Sequence, residues 1–337
     1  MPQLPDPIAA LGPVLVAPMA GGPSTPALVV AAARAGAFAQ LAGGYLTADA
    51  LRAQIDEVRA AGVEAFGVNL FVPNPHPIAV ADYAAYADRI RAEAGDDLPP
   101  LREDDDAWGA KLALVIEARV PVVSWTFGLP DAASLAALAD AGIAVLQTVT
   151  SVAEARAAEA AGVDALVVQG WGAGGHSGVW AQGALPEERP LAELVAAVRA
   201  ASSLPIVAAG GVVRREQVRA LLAAGADAVA VGTAVLRARE AGTGATHRAA
   251  LADPAFERTA LTRAFTGRPA RALVNAFLER HDAHAPAGYP AIHHLTRPMR
   301  AAAAAAGEAS RLHLWAGEGW REAREAPIAE ILADLAP

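Results

Sequence analysis

Five times along this chain an alanine-rich amphipathic stretch ends in Ala-Gly, and an apolar run begins within about three residues. The pairs are Ala35-Gly36 before residues 38–41, Ala61-Gly62 before 65–71, Ala141-Gly142 before 144–149, Ala161-Gly162 before 165–169 and Ala224-Gly225 before 228–231. A glycine just past the last helical residue takes the left-handed conformation that closes the final turn. A short, continuous apolar run after it suits a parallel strand buried on both faces. The runs 14–17, 120–126 and 205–209 bring the total to eight, most of them separated by helical patterns of about ten to fifteen residues. Eight such units predict a TIM (β/α)8 barrel, with a doubly wound parallel sheet as the alternative. The barrel is expected over residues 1–237. Residues 73–119 are more than one connecting helix requires, so an inserted helical segment or lid is expected there. After Ala234 the strand signal stops, and helical runs at 273–280 and 299–306 predict a C-terminal helical extension, 238–337, packed on the barrel.

Composition narrows what such a barrel can do. With 337 residues, 54% hydrophobic and 19% charged, the chain can bury one large core or two modest ones. Arg34, Asp164 and Asp227 interrupt the longest apolar candidates, so no membrane span is expected. No basic residue precedes Arg34, which leaves out the charged start of a secretory signal and predicts a cytoplasmic protein. The absence of cysteine excludes disulfides, thiolate metal sites, iron–sulfur ligation and a thiol nucleophile. A net charge of −9 lacks the basic stripe that a nucleic-acid partner requires. Lys111 is the only lysine and falls in a helical pattern, 108–119, so Schiff-base chemistry has almost no candidate.

Barrel chemistry sits at the C-terminal ends of the strands. The apolar runs terminate in Pro18-Met19-Ala20-Gly21-Gly22, Gly43-Gly44, Asn69, 124–126, Gln147-Thr148, Gln169 through His176, Gly210-Gly211 and Gly232-Thr233. Carboxylates are nearly missing from this set, which disfavours metal-dependent hydrolysis and two-carboxylate glycosidase chemistry. Gly170, Gly172 and Gly175 satisfy the dinucleotide fingerprint as letters. That fingerprint needs a helix to start at once, whereas His-Ser-Gly-Val-Trp follows and the Rossmann reading is rejected. Gly210-Gly211 and Gly232-Thr233, after the seventh and eighth runs, are placed as barrels place a phosphate site, where glycine lets backbone amides approach the oxygens. A phosphorylated ligand is therefore expected.

Asn69 and Gln169 either bond the edge of a heteroaromatic ring or hold a loop. His176 is a candidate general base, a donor to an anionic substrate, or a loop histidine satisfied by backbone. It has no sequence neighbour that would make it a metal ligand, and no metal is expected. His281, His284, His293 and His294 lie in the extension, where surface or packing roles are expected. Trp125, Trp171 and Trp180 either line the cavity or pack beneath the loop.

These motifs resemble the nitronate monooxygenase family, formerly the 2-nitropropane dioxygenases. The resemblance rests on Ala17-Pro18-Met19-Ala20-Gly21-Gly22, Gly67-Val68-Asn69-Leu70, the loop from Val168 to Gly178, residues 208–211, Val231-Gly232-Thr233-Ala234, the stretch from Thr262 to Arg271, and Leu314-Trp315-Ala316-Gly317. It implies an FMN-dependent TIM-barrel enzyme that oxidises an alkyl nitronate or neutral nitroalkane with O2 to a carbonyl compound and nitrite. His176 would then be the catalytic histidine. Ala17, Pro18, Met19, Asn69, Gln169, Gly174, Gly175, Gly210, Gly211, Ala230, Val231, Gly232 and Thr233 would contact FMN. Two positions depart from the pattern: Gly172 stands where the family commonly has an acidic residue, and Ala230 where it often has glutamine. The alternatives are an NAD(P)H-dependent FMN reductase of enoyl thioesters or quinones on the same scaffold, and a barrel that binds a phosphorylated ligand without catalysis.

Overall fold

The computed structural model describes residues 3–337. In chain order its strands are β1 (Val14–Val16), β2 (Gln40–Ala42), β3 (Gly67–Phe71), β4 (Val122–Thr126), β5 (Ala144–Val149), β6 (Ala165–Gln169), β7 (Gly175–His176), β8 (Ile206–Ala209), β9 (Ala228–Val231), β10 (Thr259–Thr262) and β11 (Ala270–Leu273). Eight of them form one parallel sheet in the order β1-β9-β8-β6-β5-β4-β3-β2. A parallel bridge between Val16 and Ala39 joins the two outer strands and makes the sheet a TIM barrel rather than an open, doubly wound layer.

The recurring Ala-Gly pair does what its chemistry requires. The five glycines have positive φ, from 70° at Gly142 to 108° at Gly225. In each case the next amide reaches back to close the helix, as Ala37 N does to the Ala32 carbonyl at 3.0 Å and Ile143 N to that of Leu138 at 3.0 Å. The following strand then starts in a fixed position. In register, Asn69 faces Ser124 and Gln169 faces Ala209, so the strand-end amides share one rim.

The barrel interior is filled by Leu15, Phe38, Val122, Leu146, Val207 and Ala228, and Ile8 joins that cluster from the short N-terminal helix Asp6–Ala9. A larger core lies between strands and outer helices, with Leu28, Ile55, Val115, Leu138, Val195 and Ile331 among its members. Within the insertion, helix Trp108–Glu117 is the connection between β3 and β4, and helix Val80–Ala94 is the additional element. That additional helix places Tyr83, Tyr86 and Ile90 in a separate core with Phe265, Phe277, Ile292 and Met299 of the C-terminal segment.

The C-terminal segment is not helical throughout, as the sequence reading had it. β10 and β11 pair antiparallel, and β11 continues onto β7, with Ala270 opposite His176. The run read as a helix from 273 is strand up to Leu273, and its helix is Ala276–His281 with Asn275 as the cap. Thr-Ala-Leu-Thr and Ala-Arg-Ala-Leu are too short and too alanine-rich for a period of two to show. Their strand character comes from the partner that each finds in space.

Candidate active site

A cavity of about 340 Å3 opens at the C-terminal rim of the barrel. Thirteen of the fourteen nominated site residues line it: Ala17, Pro18, Met19, Asn69, Gln169, Gly174, Gly175, His176, Gly210, Gly211, Ala230, Gly232 and Thr233. Val231 does not. Its side chain packs into the core outside the barrel, and its carbonyl accepts from Ala17 N at 2.9 Å. Among the described residues no Asp, Glu, Lys or Arg lines the cavity, and its titratable side chains are Tyr45, His176, His247 and His313.

One wall is a patch of backbone donors. Gly210 (φ 134°) and Gly211 (φ 69°) take conformations that side chains rarely adopt. The N–H groups of Gly210, Gly211, Gly232 and Thr233 find no acceptor among the described residues. Such a cluster matches the oxygens of a phosphate. The Thr233 hydroxyl is already engaged, accepting from Gly317 N at 2.9 Å. Asn69 Nδ2 donates to Ser124 Oγ at 2.9 Å and Thr126 Oγ1 at 3.1 Å. Gln169 holds the loop: Oε1 accepts from Gly178 N at 2.6 Å and Nε2 donates to the His176 carbonyl at 3.2 Å.

His176 sits in an aromatic surround of Phe127, Tyr289 and Trp315, with ring centroids 5.4 to 5.8 Å away. Its Nε2 lies 2.9 Å from Thr266 Oγ1. The Thr266 hydroxyl donates to the Arg268 carbonyl at 3.2 Å. With its one hydrogen so used, Oγ1 accepts from Nε2–H and the imidazole lone pair falls on Nδ1. Burial, then the charges of Arg268 and Arg300, push the His176 pKa down to about 3, so the imidazole is neutral near pH 7.

Arg268 and Arg300 carry the positive charge of this region, and sequence reasoning assigned neither a role. Arg268 is buried, with its guanidinium 4.0 Å over the Phe127 ring and a hydrogen bond to the Val179 carbonyl. Arg300 donates to the His293 carbonyl at 2.8 Å and to Thr296 Oγ1 at 3.0 Å. The partners of both guanidiniums are carbonyls, hydroxyls and imidazoles, never a carboxylate. Burial lowers the pKa of each to about 10, which leaves both charged near pH 7. Tyr45, Phe127, Thr266, Tyr289, His293 and Trp315 also belong to this region, and their spacing in the sequence does not mark them as site residues. Thr266 and Trp315 lie in stretches that carry the family resemblance, but nothing in their spacing shows that the chain folds them back onto the barrel mouth.

The other sequence candidates lie apart from the cavity. His281 Nε2 is 2.8 Å from Glu93 Oε1 and His294 Nε2 is 2.8 Å from Asp104 Oδ2, carboxylates supplied by the insertion. His284 lies in a short 3-10 turn, Asp282–His284. Among the described residues no group of three or more His, Asp or Glu could hold a metal ion. Trp125 packs on Trp108, Trp180 Nε1 donates to the Thr148 carbonyl at 3.1 Å, and Trp171 lies under Arg271, so Trp315 is the tryptophan that lines the cavity. At Gly172, a Cβ would stand 2.8 Å from Glu318 Oε2. A carboxylate from the C-terminal segment thus occupies the space beside that glycine, and it pairs with Arg271 at 3.6 Å rather than with His176.

A family model described as nitronate monooxygenase matches residues 6–337. A nitronate monooxygenase of Pseudomonas aeruginosa is 39% identical, over 96% of this chain and 95% of its own. One of Paraburkholderia phytofirmans is 37% identical, over 96% and 91%. Among solved structures, nitroalkane oxidase from Streptomyces ansochromogenes superposes with a TM-score of 0.92 at 46% identity, covering 97% of this chain and 95% of that one. FabK from Thermotoga maritima superposes with a TM-score of 0.75 at 25% identity, over 98% and 93%.

Proposed function

This chain belongs to the nitronate monooxygenase family, and on that premise we propose that it oxidises alkyl nitronates with O2 to a carbonyl compound and nitrite, using FMN. The observation that carries this reading is the electrostatics of the cavity: a neutral His176 and two buried guanidiniums nearby, with no carboxylate on the wall. Such a surround favours an anion, which a nitronate is and a neutral nitroalkane is not. The residues present suit FMN. Four unpaired amides at Gly210, Gly211, Gly232 and Thr233 would hold its phosphate, and the wall of Ala17, Pro18 and Met19 would pack on its ring. When bound, the flavin supplies the redox chemistry.

The protein's own part is binding, orientation and a proton. Thr266 fixes the His176 ring so that Nδ1 is the basic atom. A proton taken there from the α-carbon of a nitroalkane would be disfavoured by the two guanidiniums until the nitronate forms and offsets their charge. His176 therefore serves a neutral nitroalkane as a base and a nitronate as a neutral neighbour. Phe127, Tyr289 and Trp315 enclose that chemistry and exclude water.

The test is nitrite release from pre-formed ethyl nitronate in air by the FMN-loaded protein. Rapid anaerobic bleaching of the flavin by NAD(P)H without nitrite from nitronate would instead make it a reductase. Protein that cannot be loaded with FMN would make it a non-catalytic binder. His176→Asn should lower turnover of neutral nitroethane by about a hundredfold or more while ethyl nitronate retains appreciable activity. Equal losses on both substrates would show that His176 acts mainly on the anion.

A further inference from the structure

The only lysine of this chain is buried. Lys111 is 1% exposed, and its Nζ lies 2.8 Å from Asp106 Oδ2. A buried ammonium is costly unless paired, so the pair marks a place where the fold needs a fixed carboxylate. The other oxygen, Asp106 Oδ1, accepts the Tyr45 N–H at 2.9 Å, across 61 residues of sequence. Around this carboxylate the backbone is left-handed at three residues that are not glycine: Tyr45 (φ 69°), Asp106 (φ 56°) and Ala107 (φ 54°). Each such residue strains the backbone, because its Cβ crowds the neighbouring carbonyl oxygen. Three together persist because the carboxylate and its lysine over-determine them.

What this geometry holds is a wall of the cavity. Tyr45 follows Gly43-Gly44 at the end of β2 and lines the cavity. Its ring stacks on His293 at 4.3 Å, nearly parallel, and meets Phe71 edge-on at 5.5 Å. Lys111 and Asp106 do not line the cavity themselves.

We propose that the Lys111–Asp106 ion pair braces Tyr45 against the cavity and thereby sets the size of nitronate the site accepts, an inference that rests on the nitronate reading above. Lys111 and Asp106 are positioning residues, and Tyr45 is the specificity-determining wall. Removing the acceptor lets the loop relax from its left-handed turn and withdraws the ring, which enlarges the cavity and loosens its hold on a small substrate.

The experiment compares FMN-loaded wild type, Asp106→Ala, Asp106→Glu and the double variant Asp106→Asn/Lys111→Met on ethyl nitronate and cyclohexyl nitronate, with hydrogen exchange of the Tyr45 amide measured in parallel. In Asp106→Ala the ratio of kcat/KM for cyclohexyl over ethyl nitronate should rise about tenfold or more, mainly through KM for the small substrate. The Tyr45 amide should exchange about tenfold faster or more. Asp106→Glu keeps the charge pair but displaces the acceptor, so it should move both readouts the same way, including where the alanine variant does not fold. The double variant leaves no lone buried charge but also no ion pair to fix position 106, so it should move both readouts in the same direction as Asp106→Ala. An unchanged ratio, or a Tyr45 amide as protected as in wild type, overturns the proposal. If wild type oxidises neither nitronate, the functional reading falls, and the Tyr45 amide alone decides whether the brace exists.

Discussion

A Cβ at Gly44 would stand 2.2 Å from Cε2 of Phe71, so the ring and a side chain at 44 cannot share that space. Gly44→Ala should therefore destabilise the protein by about 1–3 kcal/mol through overpacking, read as a lower denaturant midpoint with an unchanged slope. Gly211 tests the ligand rather than the core. Its φ of 69° suits glycine, and a Cβ there would meet the Gly172 carbonyl at 3.1 Å, beside the unpaired amides. Gly211→Val should lower the ratio of flavin to protein while the far-ultraviolet circular dichroism stays native. Full flavin content in that variant would move the phosphate elsewhere. Both glycines stand in doublets that were legible in the sequence, but the reasons differ: one clears space for an aromatic ring, the other bares a backbone amide.

The element that decides the chemistry is the loop from the end of β6 to β7. Gln169, at its root, ties down both His176 and Gly178. Of the two uses weighed for this amide, the geometry shows the loop-holding one directly. Gln169→Leu would leave the Gly178 N–H without its acceptor, at about 1–3 kcal/mol, and should expose residues 170–190 to limited proteolysis before the barrel unfolds. β7 is two residues long and has β11 as its partner, with Thr266 meeting His176 from the turn just before β11. The position of the loop histidine is thus set by chain about ninety residues further on. A short alanine-rich strand pair carries no periodicity, which is why this support was not legible from the sequence.

At the scale of the molecule, four histidines are held neutral by burial: His176 at about 3, His247 at about 4, and His293 and His313 well below their ordinary value. In the unfolded chain each titrates near 6.5, so below that pH the unfolded state binds more protons than the folded one. Their contribution is complete above about pH 6.5 and erodes as pH falls, by about 1.4 kcal/mol per pH unit for each group until its folded pKa is reached. Thermal melts should therefore fall steeply from pH 6.5 to 4.5. A Tm that stays level over that interval would mean that these histidines are solvated. Arg268 and Arg300 stay charged beside the cavity despite their burial, so an anionic ligand should raise Tm more than a neutral one of equal size.

The barrel was readable from local chemistry alone. Ala-Gly helix ends and buried apolar runs are short-range signals, and a run of eight admits few arrangements because parallel strands must be crossed over by helices. The rim residues Asn69, Gln169, Gly210, Gly211 and Gly232 followed, since they stand at the C-terminal end of a run or just after it. The surround of His176 did not follow. Thr266, Arg268, Tyr289 and Trp315 come from a segment whose contacts with the barrel span roughly a hundred residues, and the Tyr45 N–H finds its acceptor on a carboxylate 61 residues away. Burial, charge and hydrogen-bond partnership at such positions belong to pairs of distant residues, so they arise only when the chain is closed in three dimensions.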